Sequence, residues 1–237
     1  MRIVSLVPSV TETLATWGTD PIACTRFCER PDLPHVGGTK NPDVEAIVAL
    51  GPDLVVTDRE ENRRQDYDAL VAAGLNVEAL HIAALGDVEP ELGRLAQRIG
   101  VAWTPEPLPK PADLRGPAAL VGNVRVFVPI WRRPYMTIGA RTYGASLLRY
   151  CGVEVAFADR DAYPTLSDAD LSAGHFEVIL APTEPYPWHL RHVDELSQYA
   201  PTHLVGGQDL FWWGTRTPAA VVRVARTIRR ALEQTTP

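Results

Sequence analysis

The sequence predicts an α/β fold built as two lobes around central parallel sheets, and three observations carry that prediction. The chain opens with an apolar run at 3–7, followed by Pro8, Ser9 and a helical pattern that ends at Gly18. Strand-sized apolar runs then alternate with helix-sized patterns through both halves of the 237 residues, the spacing of parallel sheets covered by helices. The rhythm breaks once, where Pro105, Pro107, Pro109, Pro111 and Pro117 cannot sit inside a helix and favour extended geometry. Residues 1–103 and 119–237 are therefore read as two lobes, with 104–118 as a proline-rich connector.

Each element of the first half has a local reason. Ser9 and Glu12 have the spacing of a capping box, which predicts that their hydroxyl and carboxylate start the first helix. Residues 21–25 read as a short second strand and 26–40 as a loop. Asn41 is expected to cap the next helix, with Pro42 at its first position and Asp43 and Glu45 near the positive end of its dipole. Gly51-Pro52 stops that helix, and the unbroken apolar run at 53–57 reads as a strand buried on both faces. A loop at 58–62, a helix to Ala73 with Gly74 as its cap, a strand at 75–80 and a helix at 89–99 complete the lobe.

The second half repeats the scheme. A strand at 124–130 runs into Trp131-Arg132-Arg133-Pro134-Tyr135, and a helix at 142–150 stops at Gly152. After a strand at 153–157, Ser167 and Asp170 predict a capped short helix. A strand at 178–181, a helix at 188–199, a strand at 203–205, a loop at 206–217 and a helix at 218–233 follow. Both halves read as Rossmann-like lobes of similar size.

The totals bound the function. A hydrophobic content of 46% supplies packed cores, and no apolar run approaches the roughly 18 residues of a membrane span. The net charge of −6 argues against a general nucleic-acid binder, which needs a basic surface. Arg223, Arg226, Arg229 and Arg230 fit a solvated face of the last helix. Because the first strand begins at residue 3, the chain as written is expected to lack a signal peptide and to be cytoplasmic. A periplasmic or other extracytoplasmic location is the alternative if a leader was removed. Cys24, Cys28 and Cys151 are expected to be free thiols, in keeping with a reducing compartment; that Cys24 and Cys28 pair or share a metal is the alternative, on a weak spacing signal.

Chemistry-bearing side chains gather where strands end and helices begin, the edge at which open α/β sheets bind ligands. If the lobes face each other, these loops line one cleft. Aromatic walls with a few polar groups suit a large, flat ligand. Trp131, Tyr186 and Trp212 fit that cleft, whereas Trp17, Trp103 and Trp213 fit packing. No catalytic constellation emerges: G-x-S-x-G, Walker and G-x-G-x-x-G sequences are absent, and adjacent Glu60 and Glu61 point in different directions. His189, His192 and Glu195 share a predicted helical face that could chelate a metal, although solvated histidines are the more usual outcome.

Seven stretches carry a family resemblance: R-I-V-S-L-V-P-S-V-T-E-T-L at 2–14, G-G-T-K-N-P at 37–42, P-D-L-V-V-T at 52–57, E-E-N-R at 60–63, W-R-R-P-Y-M at 131–136, E-P-Y-P-W at 184–188 and D-L-F-W-W-G-T-R at 209–216. In that order they resemble the helical-backbone metal receptor superfamily, the substrate-binding components of ABC importers for cobalamin, ferric siderophores and haem. The closest match is to members described as cobalamin-binding.

The resemblance implies two α/β lobes of the class III periplasmic binding protein fold, with the ligand in the cleft between them. It implies a non-catalytic monomer with no built-in cofactor. The partners would be a corrinoid or another metal chelate and an ABC permease. Carried over by motif, the ligand-binding residues are Phe27, Lys40, Glu61, Asn62, Trp131, Tyr135, Glu184, Tyr186 and Trp212. The aromatic rings would stack on a macrocycle or catechol face, and Lys40 and the acids would meet polar side arms. Three features depart from the family. A short proline-rich connector replaces the long backbone helix, the chain as written is expected to lack the leader of the exported members, and one loop differs, with Asp58 where a corrin-contacting tryptophan is found and Arg64 in place of a transporter-docking acid. Two other readings stay open: a cytosolic metallochaperone or enzyme that reuses the fold, and an interaction module with a vestigial cleft.

Overall fold

The computed structural model describes residues 1–114 and 124–235, which divide into two compact units. One comprises Met1–Glu106 with Trp213–Arg216, the other Pro107–Trp212 with Thr217–Pro237.

In the first unit the chain runs β1 (Ile3–Ser5), α1 (Pro8–Thr16), β2 (Ala23–Cys24), β3 (Gly37–Gly38), β4 (Asn41–Pro42), α2 (Val44–Leu50), β5 (Leu54–Asp58), α3 (Arg64–Ala72), β6 (Val77–Leu80) and α4 (Val88–Ile99). Four strands form a parallel sheet in the order β2-β1-β5-β6. The chain moves from β1 to β2 on one side, then crosses to β5 and β6 on the other. Its direction therefore reverses between β1 and β5. Such a reversal opens a crevice at the carboxyl ends of the strands. Every residue of β5 is buried, as its apolar run requires, and Val4, Leu6, Ile47, Val55 and Leu70 form the core on one face. Burial of each such large side chain contributes about 1.5–3 kcal/mol.

The second unit contains α5 (Pro111–Leu114), β7 (Arg125–Phe127), β8 (Tyr135–Met136), α6 (Tyr143–Tyr150), β9 (Glu154–Val155), β10 (Thr165–Leu166), α7 (Asp168–Ala173), β11 (Val178–Pro182), α8 (Val193–Ser197), β12 (Thr202–Val205), α9 (Gly207–Phe211) and α10 (Thr217–Thr235). Its parallel sheet has the order β12-β11-β7-β9. Counted by appearance in each unit, both sheets have the order 2-1-3-4. The reversal here falls between β7 and β11. Phe127, Phe157, Ile179, Trp188 and Leu196 lie in its core.

Several helix ends follow the sequence. Gly51 and Gly100 take left-handed conformations, φ 55° and 76°, and end α2 and α4. Ser167 accepts from the Asp170 backbone N–H while Asp170 accepts from the Ser167 backbone N–H, so that capping box forms.

Other starts are corrected. Pro8 opens α1 one residue before Ser9, because its fixed φ suits the first helical position, and no side chain caps that end. Ser9 is instead buried inside the helix, and Glu12 pairs with Arg216 at 3.5 Å. Asp43, not Asn41, caps α2, accepting from the Ala46 N–H at 3.0 Å. Asn41 and Pro42 are drawn into a hairpin with Gly37 and Gly38. The helix expected at 188–199 is reduced to a 3-10 turn at Leu190–His192 and α8, and α9 interrupts the loop expected at 206–217.

From the proline-rich segment, Trp103 packs on Trp17 with ring centroids 5.7 Å apart. Farther on, the Pro109 carbonyl accepts from the Tyr150 hydroxyl and the Leu114 carbonyl from Arg229. Residues 115–118 of the expected connector, and 119–123 at the expected start of the second lobe, lie outside the described residues. Among the described residues, no helix is long and apolar enough to cross a membrane.

Candidate functional site

The rim of the first unit is built at the carboxyl ends of β1, β2 and β5. Asp58 ends β5 and is buried. Its Oδ1 accepts from the backbone N–H groups of Glu60 (2.9 Å) and Glu61 (3.2 Å), which curls the chain back over the strand end. Asn62 closes the curl. Its Oδ1 accepts from the Asp58 N–H at 2.8 Å, and its Nδ2 donates to the carbonyls of Thr39 (2.8 Å) and Leu6 (3.3 Å). One buried amide thus ties the loops after β1, β3 and β5 together at the reversal point. Exposed Lys40 adds a second tie, its Nζ donating to the Glu60 carbonyl at 2.7 Å.

Phe27 stands on the turn after β2 and is 53% exposed. The Arg26 guanidinium lies over its ring at 4.9 Å, and a Cβ placed on Gly38 would meet that ring at 3.0 Å. Only glycine lets the ring lie this close to the hairpin. The rim therefore offers an apolar face beside a cation and two acids.

Its electrostatics are set by burial. Desolvation pushes the Asp58 carboxyl up to about 7, against the pull of the Glu60 and Glu61 amides. Its second oxygen, Oδ2, is buried without a hydrogen-bond partner. Burial also raises half-buried Glu61, with Lys40 acting in the opposite sense. Asp58, placed by the family pattern at a ligand-contacting position, is here an internal strut of the loop.

The second unit presents its aromatics at the carboxyl ends of β7 and β11, again beside the reversal point. Residues 131–136 fold back on themselves, with the Met136 N–H donating to the Trp131 carbonyl at 3.2 Å. This holds Trp131 outward, 46% exposed. Its ring meets Tyr186 edge-on at 5.8 Å, and Tyr186 rests on Trp188 at 4.8 Å. Trp188 is buried, its Nε1 donating to the Pro129 carbonyl at 2.8 Å, and it anchors the stack.

Tyr135 also stacks on Trp188, nearly parallel at 3° with ring centroids 6.3 Å apart, and is itself buried. Its hydroxyl donates to Glu195 Oε1 at 2.6 Å, and Arg132 grips both oxygens of Glu195. Arg132 is the main reason the Glu195 carboxyl titrates below its ordinary value. Glu184 lies on the loop after β11, packed against Gly207, and Trp212 follows α9 and is half-buried.

The structure thus brings Phe27, Lys40, Glu61 and Asn62 together in one unit. It brings Trp131, Tyr135 and Tyr186 together in the other, with Glu184 on the same loop as Tyr186. Trp17, Trp103 and buried Trp213 are packing residues. The His189-His192-Glu195 arrangement does not form a chelate. His192 is buried beside Trp188, its Nδ1 accepts from the His189 N–H, and Glu195 is taken by Arg132 and Tyr135. Among the described residues, no group of three or more His, Cys, Asp or Glu side chains is placed to hold a metal ion. Sequence reasoning missed the Arg132–Glu195 clamp, whose members lie 63 residues apart and carry no local signal.

No protein-family model matches the sequence. The vitamin B12-binding protein of Salmonella typhimurium is 28% identical over 194 residues, covering 76% of this chain and 71% of that protein. The vitamin B12-binding protein of Yersinia pestis (strain Pestoides F) is also 28% identical over 194 residues, covering 76% and 68%. Among solved structures, the periplasmic vitamin B12-binding protein BtuF of Vibrio cholerae superimposes with a TM-score of 0.74 at 21% identity, covering 98% of each chain. The periplasmic heme-binding protein RhuT from Roseiflexus sp. RS-1 gives 0.78 at 20% identity, covering 97% of this chain and 98% of that one. Both share their fold with this chain.

Proposed function

We propose that this chain, which has the fold of the helical-backbone metal receptors, is a substrate-binding protein whose cargo is a corrinoid or a haem. The likeness to vitamin B12-binding proteins over 194 residues carries the reading. The exposed ring of Trp131, braced on Tyr186 and Trp188, supports it, because a rigid aromatic edge stacks on a flat macrocycle at little entropic cost. Phe27, Lys40 and Glu61 are proposed as ligand contacts in the first unit, with Asn62 shaping their loop. Trp131, Tyr135, Glu184, Tyr186 and Trp212 are the proposed set in the second. Within it, Tyr135 acts through its stack on Trp188 and its bond to Glu195.

The protein is proposed to bind its cargo without altering it and to deliver it to an ABC permease. An extracytoplasmic site of action fits the periplasmic proteins it resembles. The cytoplasmic location expected from the sequence finds no support in them.

Calorimetric titration with cyanocobalamin, cobinamide and haemin tests this reading. One ligand should saturate at 1:1 and be recovered unchanged, and Trp131→Ala should weaken it by about tenfold or more, on the order of 1.4 kcal/mol. Absence of saturable heat with all three would overturn the proposal.

A further inference from the structure

The second unit holds a depression of about 610 Å³, open to solvent on one side, between Arg141, just ahead of α6, and the loop that joins β9 to β10. Its walls are fastened together. The Gly139 N–H donates to the Ala162 carbonyl at 2.7 Å, and the Ala140 N–H to that of Ala158 at 3.1 Å. A Cβ on Gly139 would collide with the Asp161 carbonyl, so only glycine lets the two segments close up. Arg160 is held within the loop, its Nη2 donating to Asp170 Oδ1 at 2.6 Å and its guanidinium lying over the Phe157 ring at 5.0 Å. Arg141, Asp159 and Asp161 remain on the lining, exposed and, among the described residues, without a side-chain hydrogen bond or ion pair.

The depression and Trp131 share a face. Trp131 pairs with Met136, and Met136 pairs with Thr165, which lies on the lining. Residues opposite one another in antiparallel pairs send their side chains to the same side. The exposed Trp131 ring and Thr165 therefore stand on one face, two strand spacings or about 10 Å apart. A flat macrocycle resting on the ring carries its peripheral arms over that distance.

We propose that this depression is a side-arm subsite that takes a primary carboxamide and turns away a carboxylate. The inference rests on the reading that a macrocycle is held at Trp131, and it narrows the cargo to one whose arms end in amides. A guanidinium only donates hydrogen bonds and a carboxylate only accepts them, so Arg141 together with Asp159 and Asp161 matches a group that does both. A primary amide does, its oxygen accepting from Arg141 and its NH2 donating to an aspartate. A carboxylate satisfies Arg141 alone and faces two like charges, since Arg160 is already held by Asp170. Corrinoids carry primary amides around the ring, whereas haem carries two carboxylates. The subsite therefore favours a corrinoid.

The test titrates the full chain by calorimetry with cyanocobalamin, with each monocarboxylic acid made by hydrolysing one of its propionamides, and with haemin. Cyanocobalamin should bind most tightly, and one of the acids should be about fivefold weaker or more, because the aspartates repel its new charge. Replacing both acids, Asp159→Asn with Asp161→Asn, should bring that ligand to within about twofold of cyanocobalamin, since Arg141 then meets the carboxylate unopposed. Arg141→Ala should weaken cyanocobalamin by about threefold. All three positions are exposed, and unchanged circular dichroism shows that the variants fold. Equal wild-type affinities for cyanocobalamin and every acid, or a penalty that survives both aspartate substitutions, would overturn the subsite and leave the substrate-binding reading standing. So would tighter binding of haemin than of cyanocobalamin. Absence of saturable binding by every ligand would overturn that reading as well.

Discussion

Asp58 and Asn62 hydrogen-bond reciprocally: the Asp58 N–H donates to Asn62 Oδ1 at 2.8 Å, and the Asn62 N–H donates to the Asp58 carbonyl at 2.9 Å. This closed ring sits at the end of β5 and supports the loop on which Glu60 and Glu61 stand.

Truncating Asn62 should therefore weaken the first unit. Asn62→Ala leaves the Asp58 N–H and the Thr39 carbonyl without their buried partner, at about 1–3 kcal/mol for each unsatisfied group. Asn62→Asp should cost at least as much, since it turns a donor into an acceptor facing two carbonyls. Urea unfolding monitored by circular dichroism measures both, and wild-type midpoints would remove the amide from its structural role.

Stability should fall as pH rises toward neutrality, through Asp58. Its folded pKa, raised to about 7 by burial, lies above the ordinary aspartate value. Below about pH 4 the group is protonated in both states, and its contribution is fully present. Between about 4 and 7 only the folded chain keeps the proton, so this residue lowers stability by up to about 1.4 kcal/mol per pH unit before levelling off. Asp58→Asn, which keeps an acceptor for the Glu60 and Glu61 amides, should flatten this slope between pH 4.5 and 8. Parallel slopes for variant and wild type would exclude Asp58 as the titrating group.

Trp131 and Trp188 should separate binding from folding. Trp131→Ala removes a ring that is 46% exposed and should change the unfolding free energy by no more than about 0.5 kcal/mol while weakening ligand binding. Trp188→Ala empties the centre of the aromatic stack and leaves the Pro129 carbonyl unpaired, a loss of about 3–5 kcal/mol. A pair of melting curves and a ligand titration distinguish the two. A stability loss for Trp131→Ala as large as that for Trp188→Ala would contradict the assignment.

Gly207 should resist any side chain. A Cβ there would meet Glu184 Cγ at 2.3 Å and the Glu184 backbone nitrogen at 2.6 Å, so Gly207→Ala must displace the loop that carries Glu184 and Tyr186. A loss of about 1–3 kcal/mol is expected, together with a change in Tyr186 fluorescence or chemical shift. An unperturbed Tyr186 signal would show that the loop does not rest on this contact.

The elements that could be read in advance were those with a local cause. β5 is an unbroken apolar run, Gly100 ends α4, and Ser167 with Asp170 caps α7; each signal lies within a few residues of its effect. Ser9 and Glu12 misled because Pro8, one position earlier, already satisfies the start of α1. Asn41 misled because a partner strand at Gly37–Gly38 claimed its backbone. The pattern at 188–199 predicts a helix from Trp188, whereas Trp188 precedes the 3-10 turn at Leu190–His192 and its indole bonds a carbonyl 59 residues away, a partner no local signal reveals.

By itself, the sequence determined the alternation of strands and helices, most of the helix ends, and the placement of aromatic and charged residues in loops after strands. Periodicity and capping act over one or two turns, so they are written locally. Only the tertiary structure decided the strand order 2-1-3-4 in each sheet, and with it the point where Asn62 joins three loops and where Trp131 stands beside Tyr186. An apolar strand can pair equally well on either side of its neighbour. Which side it takes, and therefore which carboxylate is buried and which ring is left exposed, follows from contacts among residues far apart in the chain.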